Sequence, residues 1–416
     1  MTPPLSRPSR RTFVALGAAA LLPASVAAPR AVAADRRSAV LTWYDTTAET
    51  IAAAGAATQV TNSRTWAIAW LAAARAVRSV PGGVDRAAYQ EAALVSAVHQ
   101  ALVDLVPGRA EQLDATYRQS LDRVPGGEAR SLGVAAGRRE AAVVLGSRRD
   151  DGLDPASVNA PYPVPAPGPG VWQPTPPSYA PATQYGNRLA VPFLLRTPDQ
   201  FRPGPPPALD SDRYAADLAE VRAYGSVDSP VRSPHQTETA TFWLGSSLTL
   251  YTEPLRVALS RTPRGIAEQA RLVALFHVAL VDTQIATSDG KYAYERWRPV
   301  TAIRTGAVDP DPGWTPLHTT PAHPDHPSGH NTYSGAAEAV LTAFSGARTA
   351  PFALTSPTAP GVTRTYTTWR QLTDENVEAR VLSGIHTRSA DEAGVVLGRR
   401  VARFALEHAG ELFGSA

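Results

Sequence analysis

Gly265-Ile-Ala-Glu-Gln-Ala-Arg-Leu-Val-Ala-Leu-Phe-His-Val-Ala-Leu-Val-Asp-Thr-Gln-Ile-Ala-Thr-Ser288 reads strongly as helix, because apolar residues recur at helical spacing and no proline interrupts them. Downstream of it, helical patterns cover Tyr292 to Thr301, His330 to Ser345, Trp369 to Ser383 and Ala390 to Phe413. Upstream they cover Ser211 to Ala223, Gln236 to Leu244 and Leu255 to Leu259. No alternating period-two run is long enough for a sheet, and no segment repeats at a fixed period. The expected fold is all-α, a helical bundle.

The first third repeats the pattern. Asn62-Ser63 opens an Ala/Trp/Leu run through Val77, and Val84-Asp85 opens another that reaches Val106. Pro107-Gly108 breaks it, Ala110 to Val124 resumes, and Pro125-Gly126-Gly127 precedes a last run ending near Leu145. Such turns predict antiparallel neighbours, with Trp66 and Trp70 as a core stripe. Asp151 to Pro207 is rich in proline, yet it carries Trp172, Tyr179, Tyr185, Phe193 and Phe201. Disordered linkers are poor in aromatics, so an ordered, extended segment wrapping the helices is expected. The chain divides into an export signal over 1–33, an N-terminal helical region over 34–150, the wrap and a connecting helix over 151–235, and a C-terminal helical region over 236–416.

At 416 residues and 44% hydrophobic the chain can bury a sizeable core. It has no cysteine, which excludes disulfides and thiolate metal sites. A net charge of +3 from 40 basic and 37 acidic residues, without clustering, argues against nucleic acid as partner. Ser9-Arg10-Arg11-Thr12-Phe13-Val14 resembles a twin-arginine export signal, and Ala31-Val32-Ala33 offers a cleavage site, so a mature start near Ala34 is expected. Pro23 interrupts the apolar run from Phe13 to Ala28, which is too short to span a membrane comfortably. An exported protein without stable membrane insertion is expected.

The chemistry concentrates in three segments. The first is Lys291-Tyr-Ala-Tyr-Glu-Arg-Trp-Arg298-Pro299, the second His323-Pro-Asp-His-Pro-Ser328-Gly329-His330, and the third Arg380-Val-Leu-Ser-Gly-Ile-His386. A tetrahedral oxyanion needs fixed positive charge, several donors and exclusion of water. Arg298 and Arg380 offer planar forks, and Lys291 offers a compact charge. Ser328 adds a hydroxyl, Gly329 an unobstructed backbone N–H, and His330 opens a helix whose N-terminal donors point the same way. A divalent cation would not be met by Lys291, Arg298 and Arg380 together. Taken singly, each residue has an ordinary explanation: solvated helix charges, an N-cap at Ser328, a core histidine at 386. Their joint order argues for a socket.

Lys-x6-Arg-Pro, Pro-Ser-Gly-His and Arg-x5-His in this order resemble the vanadium-dependent haloperoxidases and the related acid phosphatases of the type-2 phosphatidic acid phosphatase superfamily. Gln200-Phe-Arg-Pro-Gly-Pro-Pro206 and Gln236-Thr-Glu-Thr-Ala-Thr-Phe-Trp243 are similar to the bacterial branch. The resemblance implies vanadate as cofactor, with its oxygens held by Lys291, Arg298, Ser328, Gly329 and Arg380 and its metal bound axially by His386. It implies His330 as acid–base residue, Lys291 polarising bound peroxide, and hydrogen peroxide, a halide and an organic acceptor as reactants. His323, as in the algal bromoperoxidases, tilts the expectation toward peroxidase and weakly toward bromide. Under the phosphatase alternative, phosphate occupies the socket, His386 is the nucleophile and His330 protonates the leaving alcohol. A third alternative is a non-catalytic oxyanion binder, disfavoured because a mere binder has no need of both His330 and His386. A homodimer is expected by family habit. Two departures stand out. The aspartate common four residues after the axial histidine is Ala390 here, with Asp391 beside it, and a tryptophan three residues before the lysine is Ser288. If Asp391 does not reach the ring, a backbone carbonyl or water must orient His386. Asp282 and Glu238 are further candidates to orient a histidine, and His326 is assigned no role.

Overall fold

The computed structural model describes residues 38–55, 58–261 and 264–413, so the expected export signal lies outside the described residues. Five helices come first: α1 (Ala39–Ala53), α2 (Gln59–Ala76), α3 (Arg86–Leu105), α4 (Ala110–Asp122) and α5 (Glu128–Ser147). The breaks fall where the Pro-Gly turns predict. Ser38, Thr58 and Asp85 cap α1, α2 and α3 by accepting first-turn N–H groups. Trp66 and Trp70 are 1% and 0% exposed, as a core stripe requires.

After the short α6 (Pro155–Val158) the proline-rich segment runs extended, with one 3-10 turn at Tyr185–Leu189, until α7 (Asp212–Gly225). Then follow α8 (Pro234–Phe242), α9 (Ser247–Arg261), α10 (Ile266–Tyr294), α11 (Pro299–Thr305) and α12 (Gly329–Ser345). An antiparallel hairpin of β1 (Arg348–Ser356) and β2 (Ala359–Thr368) leads to α13 (Trp369–Leu382), α14 (Arg388–Glu407) and α15 (Ala409–Phe413). The fold is all-α apart from that hairpin.

The axis of the structure is α10. Its length and composition would suffice to cross a membrane, yet it is buried along its length, with α2, α12 and α14 packed on it. Two of its carboxylates anchor the wrap. Asp282 accepts from the backbone N–H groups of Phe193, Leu194 and Leu195 at 2.6, 2.8 and 3.0 Å. Asp289 takes both ends of the Arg202 guanidinium at 2.6 and 2.9 Å, and Arg188 at 3.2 Å. The residues are seven apart, two helical turns on one face. Asp282 therefore orients backbone, not a histidine, and Glu238 pairs with Arg364 at a partly exposed position.

Three expectations are corrected. The hairpin contradicts the absence of a sheet: its alternation is short, Phe352, Leu354 and Ser356 inward, with Pro351 just before it and a threonine-rich partner. The single helix expected over Tyr292 to Thr301 is two. Glu295 takes a left-handed conformation (φ 49°), and the backbone at 295–297 hydrogen-bonds to the wrap, Trp172 N to Glu295 O at 2.7 Å and Trp297 N to Gly170 O at 2.9 Å. Finally, α9 begins at Ser247, eight residues before the expected start, and carries Pro254 inside it.

Candidate functional site

Lys291 lies in the last turn of α10, and Arg298 is the N-cap residue of α11, so the break between these helices sets their separation. Arg380 sits near the end of α13. Gly384, at φ 75°, turns the chain out of that helix and delivers His386 ahead of α14. His323 to Ser328 form the loop that enters α12, where Gly329 and His330 are the first helical residues. Lys291, Arg298, Ser328, Arg380 and His386 are all 0–1% exposed and His323 is 8% exposed. Gly329 and His330 keep more surface, which places the site's open side there.

The hydrogen bonds tie these segments into one cluster. Arg298 donates from Nε to His323 O and from Nη1 to Ile385 O, each at 2.6 Å. Its Nη2 lies 2.9 Å from His323 Nδ1, and its Nη1 lies 3.2 Å from His386 Nε2. A guanidinium only donates, so His323 accepts through Nδ1 and carries its proton on Nε2. Lys291 Nζ donates to the carbonyls of Pro324 (2.6 Å) and Asp325 (3.2 Å), which fastens the histidine loop to α10. His330 Nε2 donates to Gly245 O at 3.0 Å, leaving Nδ1 as its basic end. Arg380 Nη1 donates to Trp243 O at 3.1 Å.

One carboxylate here has no assignment from sequence. Asp325 Oδ1 lies 2.6 Å from His386 Nδ1, and its Oδ2 accepts from Thr387 Oγ1 at 2.7 Å. It stands inside the histidine loop, and a carboxylate amid so many cations was the signal available. Asp391 does not reach His386; its Oδ1 accepts from Asn331 Nδ2 at 2.7 Å. His326 Nε2 donates to Gly204 O of the wrap at 3.0 Å, Ser288 spends its hydroxyl on Gln184 O, and His318 bonds Ser383 Oγ. Ser288 therefore presents no free hydroxyl.

Burial dominates the electrostatics. It holds the pKa of Lys291 well below its usual value, aided by Arg298, and brings Arg298 and Arg380 down to about 10, so both guanidiniums stay charged at neutral pH. Burial, followed by Arg298, Lys291 and Arg380, keeps His386 neutral; burial and neighbouring cations do the same for His330 and His323. Asp391 is pushed by burial up to about 8, which leaves it largely protonated at neutral pH. The cluster therefore has an excess of buried cations over carboxylates.

Several features fit an oxyanion. Ser328 occupies the N-cap position of α12, yet its hydroxyl makes no capping bond, and Ser328 Oγ and Arg380 Nε are both buried without a well-formed hydrogen bond. Such groups are costly unless a ligand satisfies them. A Cβ built on Gly329 would meet nothing closer than Lys291 Cε and Thr287 Cγ2, each at 3.9 Å, so space beside the ammonium is left open. The first-turn N–H groups of α12 have no intrahelical partner. Among the described residues no group of three or more His, Cys, Asp or Glu is arranged to hold a metal cation. The residues fit vanadate or phosphate: cations and donors for oxygens, and the lone pair of His386 Nε2 for the central atom.

Comparisons with known proteins bear on the fold. Residues 271–415 match the profile of the VCPO second helical-bundle domain. Vanadium chloroperoxidase of Curvularia inaequalis is 30% identical over 155 aligned residues, covering 30% of this chain; the match spans 25% of that protein's length. The structure of the first bacterial vanadium-dependent iodoperoxidase superposes with a TM-score of 0.74 at 26% identity, covering 89% of this chain and 95% of that one. A bacterial vanadium-dependent chloroperoxidase in its holo form shares the fold, with a TM-score of 0.68 at 16% identity over 86% of this chain and 93% of its own. Three motif segments converge inside this fold, and the chain is similar to the vanadium-dependent haloperoxidases in its overall structure and, over residues 271–415, in their second helical-bundle domain.

Proposed function

We propose that this chain is a vanadate-dependent haloperoxidase that uses hydrogen peroxide to oxidise a halide to a hypohalous acid equivalent, which halogenates an electron-rich organic acceptor. The observation that carries this reading is the neutral His386 imidazole, its Nε2 3.2 Å from Arg298 Nη1 and its ring in the field of Lys291 and Arg380, beside Ser328 Oγ and Arg380 Nε, which make no well-formed hydrogen bond. Vanadate, when bound, supplies a Lewis acid that keeps its oxidation state and activates peroxide toward a halide. Arg298, Arg380, Lys291, Ser328 and the Gly329 N–H would neutralise and orient its oxygens, and His386 would hold its central atom through Nε2. His330, neutral and basic at Nδ1, moves protons at the open side. Lys291 keeps a donor beyond its two carbonyl partners for a peroxide oxygen. His323 carries its proton on Nε2, and the resemblance of its position to the algal bromoperoxidases tilts the reading weakly toward bromide.

The phosphatase reading keeps one specific support, since a carboxylate on His386 Nδ1 also makes Nε2 a better nucleophile toward phosphorus. The non-catalytic reading has none, because both His330 and His386 are present. One assay panel on purified apoprotein separates them: vanadate, peroxide and chloride, bromide or iodide with a phenolic dye, against p-nitrophenyl phosphate without vanadate. Vanadate-dependent halogenation is expected; phosphatase turnover with no halogenation at any pH sinks the proposal. His386→Ala abolishes vanadate retention, whereas His330→Ala retains vanadate and loses about 10²-fold or more in turnover. Export through the twin-arginine signal and a homodimer complete the reading, checked by fractionation of the expressing cells and by sedimentation.

A further inference from the structure

We propose that Asp325 is the positioning residue of His386: a carboxylate on the loop before α12 fixes the imidazole so that Nε2 is presented to the central atom of the bound oxyanion. This rests on the vanadate reading above. The helix after His386 supplies no partner, since Ala390 has no polar side chain and Asp391 is bound to Asn331. Asp325 instead meets His386 Nδ1 at 2.6 Å, with both side chains 1% exposed. A carboxylate can only accept from a neutral ring, so the proton is on Nδ1 and the lone pair on Nε2. Asp325 is itself pinned. Thr387 holds its second oxygen at 2.7 Å, its N–H donates to Arg296 O at 2.9 Å, and its carbonyl receives Lys291 Nζ. One residue therefore ties the axial histidine to the loop that Lys291 holds, and its position is set by three segments at once.

Two effects of opposite sign follow, and they can be separated. Orienting and enriching the imidazole strengthens any bond formed at Nε2, as partners of metal-bound histidines do. The buried negative charge opposes every oxyanion, whether or not it bonds to nitrogen. Vanadate feels both effects, whereas orthophosphate binding to the same donors feels only the second. Removing the charge therefore weakens vanadate and leaves phosphate unchanged or tighter. Loss of structure would weaken both, and a purely electrostatic role would tighten both.

The experiment is equilibrium calorimetry of the purified apoprotein with orthovanadate and separately with orthophosphate, for wild type, Asp325→Asn, Asp325→Ala and Thr387→Val. The expected result is a rise of about 10- to 100-fold in the vanadate dissociation constant for Asp325→Asn, larger for Asp325→Ala and smaller for Thr387→Val. Phosphate affinity does not fall in any of them. Equal shifts for the two anions, or none for vanadate, overturn the proposal. A second readout needs no anion: the nitrogen-bound proton of His386 Nδ1, followed by ¹⁵N-edited NMR, is a downfield signal in wild type and is lost in Asp325→Ala. Its persistence in Asp325→Ala also overturns the assignment. Wild type that takes up no vanadate refutes the functional reading instead, and the proton signal then still decides whether Asp325 sets the ring.

Discussion

Asp325 and Asp391 are both buried carboxyls in one cluster, and their surroundings separate them. Asp325 touches His386 and Thr387 and feels Arg298 and Lys291, whereas Asp391 has Asn331 and an environment that drives its pKa up to about 8. For Asp391 the folded value lies above the ordinary 3.8, so the native state holds a proton that the unfolded chain releases. The stability it contributes is full below about pH 4 and is lost as pH rises through about 8. Asparagine mimics the protonated acid. The melting temperature of Asp391→Asn apoprotein, relative to wild type, is expected to rise between pH 5 and 8 by an amount equivalent to at least about 1 kcal/mol and then level. Parallel curves for the two proteins would refute the assignment. The three site histidines act in the opposite sense, since each is held below its ordinary value and costs stability as pH falls below about 6.5. Subtracting wild type removes that shared background.

At the scale of elements, α10 does two jobs: it carries Lys291, and through Asp282 and Asp289 it fastens the wrap that hydrogen-bonds to the chain between α10 and α11. Asp282→Ala strands three backbone N–H groups, at a cost of about 2–4 kcal/mol in urea unfolding, with faster tryptic cleavage after Arg196. An unchanged midpoint and cleavage rate would show that the anchor is dispensable. The contact of α12 with α14 is equally demanding. A Cβ on Gly398 would lie 2.0 Å from Thr332 O, so Gly398→Ala is expected to cost about 2–3 kcal/mol in thermal melts. Gly410→Ala, with nothing within 4 Å, should be close to neutral. Helices and their Pro-Gly breaks were legible because they follow from local pattern. The αL turn at Glu295 and the hairpin were not, because partners distant in sequence select them: the wrap for the first, buried neighbours of Phe352 and Leu354 for the second.

Across the whole molecule, the buried donors without well-formed hydrogen bonds and the surplus buried charge cost stability, which, on the proposed function, a bound oxyanion restores. Orthovanadate at 100 times its dissociation constant is expected to stabilise the wild-type apoprotein by about 2.7 kcal/mol, seen as a rise in melting temperature. In His386→Ala the vanadate increment is lost while that of phosphate persists; loss of both would mean that the substitution damaged the socket rather than the axial position. By itself the sequence determined the helical class, the ordered wrap and the three segments from which the proposed socket is drawn, because periodicity, proline and spacing are local properties of the chain. Only the tertiary structure decided that Asp325 rather than Asp391 meets His386, that Ser328 leaves its hydroxyl uncapped, and that Asp282 serves the wrap. Those outcomes depend on which of several chemically competent groups comes within hydrogen-bond reach, and that distance is set by the packing of α10, α12, α13 and α14.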